Sequence, residues 1–121
     1  MALWVWIAAG LAGGAGAITR FLLDAAISER LAGAFPWGTF TINVTGSFLL
    51  GVLVGTVLAG NALLLAGTAA IGSYTTFSTL MFEAHRLGED DDRRPLALYV
   101  LGSLAVGLGA AACGRLLGRA L

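Results

Sequence analysis

From Leu31 to Phe82 the chain runs for 52 residues without one Asp, Glu, Lys or Arg. A water-soluble protein of this size has no interior large enough to hide such a stretch, so it faces lipid or other helices. Drawn as one helix it is about 78 Å long, more than twice a hydrocarbon core of roughly 30 Å, so it must fold back on itself. Gly60-Asn61 is the expected turn. Two further uncharged stretches, Ala2–Thr19 and Pro95–Gly114, each approach the roughly 20 residues that a spanning helix needs. The 121 residues are therefore read as one all-α membrane domain, 1–121, with four transmembrane helices near 3–23, 37–59, 62–82 and 96–117. Polar connections are expected at Asp24–Pro36 and Glu83–Pro95.

Composition excludes several other classes. Only 12% of residues are charged, against roughly a quarter in soluble domains. The net charge is zero, and the seven basic residues, all arginine, form no aromatic-interleaved patch, so no nucleic-acid partner is implied. The single cysteine, Cys113, excludes an intrachain disulfide and reads as a small residue in a helix interface. Leu3–Leu11 has the apolar character of a signal peptide, but no Lys or Arg precedes it and further spans follow, so a retained helix is the expectation. The Glu89-Asp90-Asp91-Asp92-Arg93-Arg94 run reads as a solvated loop that ends before Pro95 starts the last helix. Basic residues lie toward both faces, and the polar loops carry all the acids, so the bias for one orientation is weak. Insertion both ways is compatible with this pattern.

Polar residues inside the spans carry the functional signal. In the second span Thr39, Asn43, Ser47, Gly51 and Gly55 recur four apart on one face. Gly51 and Gly55 read as close-packing positions. Asn43 costs several kcal/mol in hydrocarbon unless its amide finds partners, which leaves two readings, a protein interior or a wet pathway. In the fourth span Tyr99, Ser103 and Gly107 repeat the spacing. Tyr99 reads either as an interfacial belt residue, like Trp4, Trp6 and Trp37, or as part of that pathway. Gly10, Gly13, Gly14, Gly102 and Gly109 read as packing glycines.

The third span is densest, with Gly72-Ser73-Tyr74-Thr75-Thr76-Phe77-Ser78-Thr79 in the middle of an apolar segment. Ser and Thr are mediocre helix formers that bond backbone groups instead, so the helix is expected to break here. A break inside a membrane survives only where protein or a water-filled cavity satisfies the freed groups. The resulting donor set is Asn43, Ser78, Thr79, Tyr99 and Ser103, with no carboxylate at the membrane centre. Glu83 sits at the end of the span, where a solvated carboxylate is the commoner explanation. Arg20 either concentrates anions at a vestibule or snorkels to the headgroups. A donor-rich lining suits an anion better than a cation. Four helices of this length enclose little polar volume, so a homodimer is expected, and dual insertion permits a two-fold axis in the membrane plane.

The ordered motifs are Gly13-Gly14-Ala15-Gly16-Ala17 with Thr19-Arg20-Phe21, Gly38-Thr39 leading to Asn43-Val44-Thr45-Gly46-Ser47-Phe48-Leu49-Leu50-Gly51, and Gly72 with Thr75-Thr76-Phe77-Ser78-Thr79 and Glu83. Together they resemble the small bacterial fluoride channels known as Fluc or CrcB, over essentially the whole chain. The resemblance implies a multi-pass protein of the bacterial inner membrane, an antiparallel dual-topology homodimer with two fluoride pores and a central structural sodium ion. By that similarity the backbone carbonyls of Gly72 and Thr75 from both subunits hold the sodium, with the oxygen ligands that a hard cation prefers. Asn43 donates to fluoride, Phe77 lines the path, Ser78 and Thr79 form its polar track, and Tyr99 and Ser103 continue it. Glu83 and Arg20 match positions near the pore ends.

Fluoride is small and strongly hydrated, so close donors must replace its water, and the positive edge of an aromatic ring adds a weaker attraction. A narrow donor-lined path selects against the larger chloride, and passive efflux needs no coupling residue. The chain departs from the family where a second phenylalanine is usual and Leu80 stands instead, which alters the paired-ring fluoride sites at that point of the pore. Phe82 lies about 200° away around a helix from Leu80 and does not replace it. Gly107 is a milder departure, at a position where a hydroxyl is common.

The main rival is a small dual-topology multidrug or cation exporter, which needs a carboxylate deep in the first span, where Ala2–Thr19 has none. A membrane scaffold accounts for the glycines but not for Asn43 and the hydroxyl run. An enzyme fits least, because His85 is the only histidine and no nucleophile or metal-ligand spacing surrounds it.

Overall fold

The structure is a computed structural model that describes residues 1–89 and 92–121, and every regular element among them is helical. Helices α1 (Leu3–Arg30), α2 (Trp37–Gly55) and α6 (Arg94–Ala120) have 28, 19 and 27 residues. All three are long and apolar enough to cross a membrane. The segment between α2 and α6 is helical in shorter pieces. It begins with α3 (Gly60–Leu63), continues as a π-helical stretch (Leu64–Ile71) and α4 (Gly72–Tyr74), and resumes as α5 (Ser78–Gly88).

The elements differ from the expected boundaries for local reasons. The connection expected at Asp24–Pro36 is helical as far as Arg30, because Asp24–Arg30 holds no glycine or proline and Arg30 suits the negative end of the helix dipole. The chain turns only beyond it, near Gly33 at φ 149° and before Pro36. The connection expected at Glu83–Pro95 is likewise helical to Gly88, since Leu80, Ala84 and Leu87 put one apolar face into the core. Within the Glu89–Arg94 run, Asp90 and Asp91 lie outside the described residues, while Asp92 Oδ1 accepts the Arg94 amide at 3.0 Å in a turn that leads into α6 ahead of Pro95. The expected turn at Gly60-Asn61 moves forward. Here α2 ends at Gly55, Thr56 Oγ1 bonds the Leu53 carbonyl at 2.7 Å and the Leu58 amide at 3.2 Å, and Gly60 at φ 62° opens α3.

Glycine sets how closely the helices approach. On the α2 side, a β-carbon at Gly51 or Gly55 would strike the carbonyl of Ala111 or Arg115 in α6. On the α6 side, one at Gly114 or Gly118 would strike the carbonyl of Phe48 or Val52 in α2. The two glycine pairs interlock, each opposite backbone of the other helix, as in small-xxx-small membrane packing. Gly16 of α1 meets the Ala70 carbonyl in the same way, and Gly46 of α2 makes room for the Thr75 methyl group. Gly10, Gly14, Gly102 and Gly109 do not pack within the chain as expected, for a β-carbon at each would meet open space.

The inside of the chain is small. Val5, Ile42 and Tyr99 are at most 1% exposed, and Leu80, Ala84, Leu87 and Tyr99 form the buried cluster between α5 and α6. Leu11, Phe21 and Leu108 are each 72% exposed, with many other large apolar side chains on the outside. Such a surface is stable against lipid rather than water, and with three membrane-length helices it makes this a multi-pass membrane protein.

The glycine interlock gives a direct test. Gly51→Val or Gly114→Val forces α2 and α6 apart and is expected to cost about 1–3 kcal/mol by overpacking. Thermal unfolding in detergent, followed by circular dichroism, reads the loss as a lower Tm. An unchanged Tm in both variants would contradict the close approach.

Candidate functional site

Helical geometry lapses at Thr75–Phe77, between α4 and α5. The Thr75 amide makes the last regular bond, to the Ile71 carbonyl at 2.9 Å, and its backbone then turns extended at ψ 160°. Thr76 is therefore left with an amide and a carbonyl that have lost helical partners, and Asn43 of α2 meets both. Asn43 Nδ2 donates to the Thr76 carbonyl at 2.8 Å, and the Thr76 amide donates to Asn43 Oδ1 at 2.9 Å. One side-chain amide thus pairs with both the N–H and the C=O of a single residue, as a residue of a neighbouring strand would. The Thr76 hydroxyl oxygen then accepts the Thr79 amide at 3.2 Å, which caps α5. Ser47 Oγ donates to the Asn43 carbonyl at 2.7 Å and ties the next turn of α2 to this point.

Of three cavities, two border the interruption and the third lies between the end of α1 and α5. The largest, about 550 Å³, is lined by Asn43, Ser47, Gly72, Thr75, Phe77 and Ser103, and Leu80 also borders it. Among the described residues, none that lines it is charged. Asn43 Nδ2 has a second hydrogen beyond the one given to Thr76. The Ser103 hydroxyl is buried and has no protein partner among the described residues. Phe77 is 73% exposed, with its ring on the cavity side of the break. A second cavity of about 220 Å³ holds Arg20 and Thr79 with Asp24 and Thr39. Thr76 borders both of these cavities. Glu83 lines a third, about 380 Å³, with Ser28, Arg86 and Glu89.

The sequence-predicted residues therefore divide. Asn43, Gly72, Thr75, Phe77, Leu80 and Ser103 come together on one cavity. Leu80 is only 8% exposed and packs mainly into the α5–α6 cluster. Tyr99 is fully buried and lies on none of the three cavities. Its hydroxyl donates to Glu83 Oε1 at 3.2 Å, and its ring meets Phe35 edge-on with centroids 5.5 Å apart. Ser78 is exposed, its hydroxyl 3.4 Å from that of Thr76, and also lies on none of them. Thr76 is the site residue that sequence reasoning does not single out. Its signal is a Thr three residues before Thr79, the spacing of a helix N-cap.

Tyr99 links Glu83 to the core, and the two contributions are separable. Tyr99→Phe keeps the ring and loses one hydrogen bond, an expected cost of about 1 kcal/mol, since the part-buried Glu83 rehydrates. Tyr99→Ala also empties the cluster, at an expected cost of about 3–5 kcal/mol. Unfolding in detergent measures both, and equal losses would show that the hydrogen bond dominates.

Comparison with known proteins places this architecture. Residues 7–115 match the family described as CrcB-like protein, Camphor Resistance (CrcB). The chain is 48% identical over 111 residues to the Fluoride-specific ion channel FluC 2 of Mycobacterium tuberculosis strain H37Rv, covering 92% of this chain and 88% of that protein. It is 42% identical over 127 residues to the Fluoride-specific ion channel FluC 1 of Frankia casuarinae, covering 98% and 97%. It is 38% identical over 99 residues to the Fluoride-specific ion channel FluC 2 of Clostridium acetobutylicum, covering 82% and 85%. A match across nearly the whole chain, over the segment that carries the Asn43 clamp and the interrupted helix, shows that this chain belongs to the CrcB family.

Proposed function

We propose that this chain is the subunit of a fluoride channel that lets fluoride leave a bacterial cell passively across the inner membrane. The observation that carries the reading is the uncharged cavity at the interrupted helix, where Asn43 has an unused amide hydrogen and Ser103 an unpartnered buried hydroxyl. The names of the relatives supply the ion. Donors without a carboxylate favour an anion, and a small anion that binds tightly to water requires donors at close range.

In this reading Gly60–Gly88 is the third of four spans, broken at Thr75–Phe77, and the four helices form one domain. Two copies assemble antiparallel, with dual topology, and carry two pores. The exposed Phe77 ring and the outward Gly10, Gly14, Gly102 and Gly109 support assembly, because each faces open space in the single chain. Arg20 and Thr79 belong to a vestibule, with Glu83 near the other end. Phe77 lines the path, with Leu80 beside it where the family has a second ring, so this pore relies on one aromatic edge there. Ser78 and Tyr99 stand behind the lining, Tyr99 by holding Glu83.

A structural sodium ion fits the carbonyls at the break. The Thr76 amide, regular partner of the Gly72 carbonyl, goes to Asn43, and the Thr79 amide, regular partner of the Thr75 carbonyl, goes to Thr76 Oγ1. Gly72 and Thr75 of both subunits would hold the ion, which would supply positive charge and cross-link the subunits. The chain's own part is to present those oxygens.

Purified protein in liposomes is expected to release fluoride, and to retain chloride, when potassium counter-flow is allowed. Phe77→Ala is expected to slow release at least tenfold. A fluoride-sensitive electrode reads both, and release no faster than from protein-free vesicles would refute the proposal.

A further inference from the structure

We propose that Asn43 and Thr76 are positioning residues that keep the Gly72 and Thr75 carbonyls free for a cation, each by capturing the amide that would otherwise bond that carbonyl. The proposal rests on the reading of these two carbonyls as a sodium site. In a continuous α-helix every carbonyl accepts the amide four residues on, which pairs Gly72 with Thr76 and Thr75 with Thr79. Here both amides are held elsewhere by side-chain oxygens, Asn43 Oδ1 at 2.9 Å and Thr76 Oγ1 at 3.2 Å. The two captures are coupled through one residue. Asn43 grips the Thr76 carbonyl and amide, at 2.8 and 2.9 Å, and that grip holds the Thr76 hydroxyl where it reaches Thr79.

The competing hydrogen bonds are similar in kind, an amide on a neutral oxygen in either case, so the side chains decide between nearly balanced alternatives. Without the Asn43 oxygen, the buried Thr76 amide returns to its regular helical acceptor, the Gly72 carbonyl, which here accepts no amide and only a long 3.5 Å bond from the Thr75 hydroxyl among the described residues. Without the Thr76 hydroxyl, the Thr79 amide returns to Thr75. Either return gives the carbonyl an amide partner, and at Thr75, whose backbone is extended at ψ 160°, it also restores the helix and turns the carbonyl along its axis. A side chain that merely stabilised the break would lower stability equally with and without sodium. A side chain that frees a cation ligand changes how much sodium is needed.

Full-length protein in detergent is titrated with sodium against N-methylglucamine at constant ionic strength, with Tm as the readout. The wild-type Tm is expected to rise with sodium. Asn43→Ala and Thr76→Val are expected to shift the midpoint to at least tenfold more sodium, while Thr76→Ser, which keeps the hydroxyl, titrates with the wild type. If Asn43→Ala does not fold, the near-isosteric Thr76→Val carries the test. Midpoints of Thr76→Val and the wild type that coincide, in a sodium-responsive protein, overturn the proposal alone. A wild-type Tm indifferent to sodium overturns the sodium site and the proposal with it.

Discussion

A backbone amide or carbonyl inside hydrocarbon must find a partner, and an unpaired one costs several kcal/mol. The hydrogen bonds from Asn43 to the N–H and C=O of Thr76 answer that demand at the interruption between α4 and α5. Much of the surrounding structure serves this contact. Gly46, one turn along α2, has no side chain where the Thr75 methyl and the Tyr74 ring sit. Thr45 Oγ1 lies 2.9 Å from the Tyr74 hydroxyl and holds α4 to α2. Gly16 lets α1 reach the Ala70 carbonyl on the other side of the same segment. The π-helical winding of Leu64–Ile71 leads into the interruption, a placement common for such windings near functional sites.

Much of this was legible in the sequence, because membrane proteins write their solvent in their charges. The uncharged run and the two apolar flanks contain the three membrane-length helices, and the hydroxyl-rich stretch Gly72–Thr79 contains the interruption. Helix ends were less legible. Polar residues at Asp24–Arg30 and Glu83–Gly88 read as loop, but polarity marks where the membrane ends, and helices continue past that point when no glycine or proline stops them. Thr76 was hidden for a different reason. Threonine in a hydroxyl-rich run looks like its neighbours, and only the backbone path decides which of them caps a helix. The glycines show the same limit. Gly51 and Gly114 pack within the chain while Gly10 and Gly102 face out, and spacing alone does not separate the two groups.

The structure also divides lining from support. Asn43 does both kinds of work, with one amide hydrogen committed to Thr76 and the other unused beside the cavity. Tyr99, aligned with Ser103 by sequence, is turned into the core, where its ring is edge-on to Phe35 and its hydroxyl meets Glu83. Alignment on one helix face fixes direction only to within a turn's width, and the bulk of a tyrosine takes it to the best apolar neighbours. Leu80 follows the same logic. An aliphatic side chain at that position settles among Ala84, Leu87 and Tyr99, which leaves Phe77 as the exposed ring at the break.

The interlocked glycines of α2 and α6 have a consequence for what the cavity can discriminate. Asn43 and Ser103 stand on these two helices, and two or more turns further along backbone lies against backbone with no side chain to act as a cushion. A wall built on soft side chains widens to admit a larger guest at little cost, because rotamers rearrange. Here widening means prising two main chains apart along the Gly51–Gly55 and Gly114–Gly118 seam. The spacing of α2 and α6 along that seam is set by the thickness of two polypeptide backbones, a dimension that thermal motion alters less than any rotamer does.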